Sequence, residues 1–244
     1  MKKYRSLIFY IKNKKIKFNS ILSNYVTPIC EILDCNVDTI NYYGDFFGEE
    51  VEKQCVYNKK QIFQNYYIDL NNKYLQQLSF FKMKSSNNEW PIFNITFKYI
   101  FDKLELRIDY NTKNMDIQVY NAIIDIIKNN NMELVSSFSY DYNDKYNILL
   151  LCGSEVGLMT YSKKKLLKKV KSHDNYHFFD EIVGIFDLNY IDERFLTLVK
   201  KSRILEVVGD NNYICKEDGI IFRCNNSLIK HKIEKILNKR NLNL

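Results

Sequence analysis

His173 and His177 stand four residues apart, with Asp174, Asp180 and Glu181 close by. On a helix that spacing puts two imidazoles on one face, where they could hold zinc or another divalent ion. No third and fourth ligand is evident, and Asp174-Asn175-Tyr176 between them reads as loop, so two surface histidines are the simpler expectation. Cys152 and Ser154 follow the apolar run Leu149-Leu150-Leu151, a place where a strand-to-turn nucleophile can sit. The Gly-x-Ser-x-Gly elbow is absent, however, and no base is fixed beside them. Asp180-Glu181 and Asp192-Glu193, with Asp187 between, have the residue types for acid–base or metal-assisted work. Acidic residues at a helix start are favoured by the helix dipole alone, which accounts for Asp192-Glu193 without chemistry. No catalytic residue is assigned, no cofactor is expected, and the reading leans away from an enzyme.

Two segments have the composition of binding surfaces. Lys163, Lys164, Lys165, Lys168, Lys169 and Lys171 are interleaved with Leu166, Leu167 and Val170. Such a basic amphipathic turn can neutralise phosphates on nucleic acid or approach an anionic surface. It contains no arginine, the side chain that base edges and bidentate phosphate contacts favour, so nucleic acid is the second choice of partner. The other segment, Tyr43-Gly44-Asp45-Phe46-Phe47-Gly48-Glu49-Glu50, sets aromatic rings beside carboxylates. Aromatic anchors are typical of protein interfaces, and an acidic rim suits a basic partner. Tyr43, Asp45, Phe46, Phe47, Glu49 and Glu50 are therefore the expected partner-binding residues, on a loop running from Gly44 to Glu52.

The chain around these segments has 244 residues, 46% of them hydrophobic and 15% aromatic, enough to form a core rather than remain disordered. Its formal charge of +7 is carried mainly by lysine. The abundance of Asn, Lys, Ile and Tyr is what an AT-rich genome supplies, so codon bias accounts for part of the charge. Gly and Pro are scarce, at 7 and 2, which leaves the turns to Asn, Asp and Ser. Cys30, Cys35, Cys55, Cys152, Cys215 and Cys224 lie in or beside apolar segments at no metal-ligand spacing. They read as free thiols of a reducing compartment. Leu7 to Ile11 is too short for a signal-peptide core, and no run approaches the roughly 20 apolar residues of a membrane span. A cytoplasmic protein is expected.

Periodicity supplies the elements that would hold these segments. Alternation predicts strands at Tyr4–Lys12, Asp38–Tyr43, Leu78–Met83, Phe93–Phe101, Leu104–Tyr110, Leu134–Tyr142 and Tyr146–Cys152. Later strands are expected at Glu181–Leu188, Ile204–Val208, Tyr213–Lys216 and Ile220–Cys224. Helical spacing predicts helices at Phe18–Leu33, kinked or broken by Pro28, and at Lys59–Gln77, Met115–Asn129, Asp192–Lys201 and Ser227–Lys239. The order implies an α+β fold, mainly antiparallel sheet with helices packed on one side and room for two closely packed lobes. Residues 1–152 would form the larger portion, 153–172 a basic joint and 173–244 the smaller portion. With no reactive constellation evident, the sequence points to a non-enzymatic protein that binds another protein, such as an inhibitor or an immunity-type partner of a toxin.

Overall fold

The computed structural model describes residues 3–12, 18–46, 49–56, 75–82, 93–100, 103–110, 116–130, 132–143 and 185–238. The fold is α+β. Its strands are β1 (Lys3–Lys12), β2 (Thr39–Phe46), β3 (Glu49–Val56), β4 (Leu75–Lys82), β5 (Phe93–Ile100), β6 (Lys103–Tyr110), β7 (Glu133–Asn143), β8 (Leu188–Asp192), β9 (Tyr213–Lys216) and β10 (Gly219–Arg223). They run β3-β2-β4-β5-β6-β1-β7-β8-β10-β9 across one sheet. The helices are α1 (Phe18–Ile21), α2 (Thr27–Ile32), α3 (Ile117–Asn129), α4 (Leu198–Val208) and α5 (Ser227–Asn238). By contact the chain divides into a unit of residues 8–111 and 122–134, and another of residues 1–7, 112–121 and 135–244. The basic joint expected at 153–172 lies outside the described residues.

The first unit contains the meander that the alternation predicts. Consecutive antiparallel pairings join β4 to β5 and β5 to β6, while β2 pairs with β4. Opposite residues share a face, so Ile40, Phe80, Ile95 and Ile108 line up across four strands, as do Tyr42, Leu78, Phe97 and Leu106. All eight are buried, and each contributes roughly 1.5–3 kcal/mol through the apolar surface it removes from water. Tyr25 packs edge-on against Phe97, with ring centroids 6.2 Å apart. The other face is polar: Ser79 Oγ and Thr96 Oγ1 lie 3.0 Å apart, and Arg107 Nε donates to Asp109 at 2.8 Å.

The helix expected over Phe18–Leu33 is interrupted just ahead of Pro28. Leu22–Val26 forms a π-turn, closed by the Thr27 N–H on the Leu22 carbonyl, before α2 resumes. Proline has no N–H to donate and its ring crowds the carbonyl four residues back; a widened turn relieves both. Only Leu75–Gln77 of the helix expected at Lys59–Gln77 fall among the described residues, and they belong to β4.

In the second unit β7, β8, β10 and β9 are antiparallel neighbours. Ile191, Ile220 and Phe222 form a core with Ile204 and Val208 of α4 and Ile233 and Leu237 of α5. Ile204–Val208, expected as a strand, is helical. The hydroxyl of Thr197 accepts from Lys200 N, starting α4, and burial of Ile204 and Val208 at an i,i+4 spacing outweighs the strand preference of β-branched residues. Of the helix expected over Asp192–Lys201, Leu198–Lys201 belong to α4, while Asp192 caps a separate 3-10 turn, Glu193–Phe195. Of the strand expected at Glu181–Leu188, residues 181–184 lie outside the described residues, residues 185–187 are not strand, and β8 begins at Leu188. Just before it, Asn189 accepts the Phe186 N–H at 2.8 Å and donates to the Phe186 carbonyl at 2.9 Å, which holds the chain in a bend. Tyr146–Cys152 lies outside the described residues.

Candidate partner-binding edge

The aromatic and acidic segment is built by the chain leaving α2. Asp38 donates its N–H to the Phe81 carbonyl at 3.0 Å and pairs through its carboxylate with Lys82 at 2.8 Å, so β2 starts alongside β4. From Thr39 to Gly44, β2 is paired on both sides, with β4 and with β3. The register to β4 shifts between Tyr43 and Gly44, where Tyr43 faces Gln77 and Gly44 faces Leu75. A shift of this kind bends a strand and ends pairing. Among the described residues, Asp45 and Phe46 lie past the last β4 partner and pair only with β3.

Of Gly44–Glu52, expected as a loop, Gly44–Phe46 and Glu49–Glu52 are instead strand, in the β2–β3 pair. Tyr43 stands opposite Glu52, Asp45 opposite Glu50 and Phe46 opposite Glu49. Phe47 and Gly48 lie outside the described residues. Thr39, Ile40, Tyr42, Tyr43, Val51 and Val56 are strand formers, and the ladder they support carries the acidic residues with it. Strand β3 is at the end of the sheet order and, among the described residues, pairs only with β2. Between Tyr43 and Lys53 the sequence has Asp45, Glu49, Glu50 and Glu52 against Lys53, a net charge of −3 on a chain whose total is +7. Charged residues on an edge strand also keep it from pairing with like edges.

The remaining candidates separate into two groups. Lys163, Lys164, Lys165, Lys168, Lys169, Lys171, His173, His177, Cys152, Ser154, Asp180 and Glu181 all lie outside the described residues. Asp187 and Asp192 are described and do not converge. Asp187 lies just before β8 and Asp192 ends it, roughly 16 Å apart at the strand rise of about 3.3 Å per residue. Asp187 pairs with Lys230 of α5, and Asp192 accepts from the Arg194 backbone at 2.9 Å and from its Nε at 2.8 Å. Both carboxylates hold elements in place. No cluster of three or more metal-binding side chains occurs among the described residues.

Sequence reasoning passed over one buried polar cluster. Tyr120 of α3 reaches Ser137 of β7 with its hydroxyl, 2.5 Å from Oγ, and Tyr190 of β8 stands opposite Ser137. The Tyr190 hydroxyl donates to the Asp218 carbonyl at 3.2 Å. Burial drives the pKa of both phenols far above the ordinary 10.0; at Tyr190, Asp218 and Asp192 push the same way. Protonated and engaged, they tie strands and helix together. Only the serines in Val135-Ser136-Ser137-Phe138-Ser139, polar residues in an otherwise apolar strand, hinted at this in the sequence.

No protein-family model matches the chain, and no curated protein matches it. A solved structure with some likeness is that of the toxic C-terminal tip of CdiA from Pseudomonas aeruginosa in complex with immune protein. The match has 12% identity, spans 56% of this chain and 86% of that chain, and has a TM-score of 0.27, too low to establish a common fold.

Proposed function

We propose that this chain works by binding another protein, as an inhibitor or immunity-type partner, and that the β2–β3 hairpin end is the contact. The supporting observation is the register. It places Tyr43, Phe46 and the carboxylates Asp45, Glu49, Glu50 and Glu52 on one hairpin at a sheet edge, with Asp45 and Phe46 past the last β4 partner among the described residues. Buried aromatic anchors supply affinity in such contacts, while charges at the rim steer encounter and select a partner of opposite sign. The matching surface is therefore basic, with an apolar recess for the rings.

A photoreactive residue at position 50, irradiated in the native cell, tests this reading. A protein adduct with a basic contact surface is expected, and Glu49→Lys with Glu52→Lys in the same chain should abolish it. Phe46→Ala with Phe47→Ala should leave the fold intact and weaken the same adduct. Labelling of nucleic acid, or adducts indifferent to the charge reversal, would reject the proposal.

A further inference from the structure

The C-terminal end of α2 brings two cysteines together. Cys35 donates its N–H to the Cys30 carbonyl at 2.9 Å, and Asp34 donates to the Glu31 carbonyl at 3.3 Å. Asp34 has a φ of +47°, in the left-handed region. This nested pair of bonds around a left-handed residue is a Schellman cap, a motif in which packing of the first residue against the last is common. With standard bond lengths, the Cys35–Cys30 hydrogen bond holds the two Cα atoms within about 6.7 Å of each other. Disulfides span Cα separations of roughly 4.4–6.8 Å. Both cysteines are half-buried and reduced.

We propose that Cys30 and Cys35 are a thiol–disulfide modification site, closed into an intrachain bridge by a small-molecule disulfide such as glutathione disulfide. One protein thiolate attacks the small disulfide and releases one small thiol. The second thiolate then attacks the mixed disulfide, releases the other small thiol and forms the Cys30–Cys35 bond. The protein loses two protons and two electrons, and the small disulfide is reduced to two thiols. The bridge would staple the turn that leads into β2, the Cys35 thiol giving up its hydrogen bond to the Leu33 carbonyl. Burial first, then the neighbouring Cys35, pushes the Cys30 thiol up to about 12, and burial likewise raises Cys35. The thiolate is scarce at neutral pH, so closure is slow there and quickens as pH rises.

The sequence allows a clean measurement, because Phe18–Lys53 is one tryptic peptide and contains no other cysteine. Folded protein is equilibrated with oxidised and reduced glutathione at mildly alkaline pH, quenched with acid, alkylated and mapped. The expected peptide has lost the mass of two hydrogens and takes no alkyl group. Cys35→Ser should instead give a glutathione adduct on Cys30. Suppose this peptide is recovered fully alkylated, or with glutathione on each cysteine, while the exposed Cys215 has been oxidised. The pairing is then wrong.

Discussion

Asp45 faces Glu50 across the β2–β3 ladder. Like charges at facing positions of an antiparallel pair repel, at a cost of about 0.2–1 kcal/mol. A ladder selected for stability alone would have an opposite pair there. Glu50→Lys should therefore raise the urea midpoint of unfolding by an amount equivalent to about 0.2–1 kcal/mol, an increment that high salt removes. The same substitution should weaken partner binding, so stability and binding move in opposite directions. Loss of stability in Glu50→Lys would mean that the carboxylate has a structural role.

Gly219 opens β10 under close backbone. A Cβ there would lie 2.4 Å from the Ile191 carbonyl oxygen and 2.9 Å from the Tyr190 ring. The first neighbour is backbone and cannot swing aside. Gly219→Ala should cost about 1–3 kcal/mol, read from equilibrium unfolding.

Two ion pairs should behave differently because of where they sit. The side chains of Arg107 and Asp109 are 12% and 15% exposed, while those of Lys230 and Asp187 are 29% and 34% exposed. Asp109→Ala leaves a guanidinium short of one partner in a poorly hydrated place and should cost about 1–3 kcal/mol. Lys230→Ala removes a pair that water already screens, so the expected cost is about 1 kcal/mol or less, shrinking as salt rises. Equal losses in the two variants would contradict the burial argument.

Buried phenols should make the fold sensitive to alkaline pH. Burial pushes Tyr25 up from 10.0 to about 12. A folded-state pKa above the unfolded value means that folding favours the protonated form. The stability it contributes is complete below pH 10 and is lost as pH rises from there to about 12. Denaturation midpoints should be insensitive to Tyr25 ionisation below pH 10 and fall above it, and Tyr25→Phe should flatten that fall. An unchanged alkaline slope in Tyr25→Phe would assign it to other groups.

How much of this was legible in the sequence depended on whether local pattern and tertiary environment agreed. Leu7 to Ile11 read as strand and is strand, every residue fully buried. The strands at Leu78–Lys82, Phe93–Ile100 and Leu104–Tyr110 were legible because their apolar residues alternate with polar partners such as Ser79, Asn94 and Thr96, whereas Leu75–Gln77 were expected in a helix. Ile204–Val208 misled because its β-branched residues suggest a strand; the opposing signals were Thr197 as a cap and the i,i+4 spacing of Ile204 and Val208. The aromatic and acidic segment stood out by composition but was expected in the wrong conformation. Glu49–Val56 lacks the alternation of a half-buried strand, and an edge strand needs none, since its backbone pairs on one side only. Register is a tertiary property, so the Asp45–Glu50 pairing was not there to be read.

The most direct measurement is amide hydrogen exchange on the complex with the protein captured at position 50, compared with the free chain. The account predicts that protection gained on binding centres on Tyr43–Val56 and disappears with Glu49→Lys and Glu50→Lys. Protection centred instead on Lys163–Lys171, or on α4 and α5 with the hairpin unchanged, would contradict it.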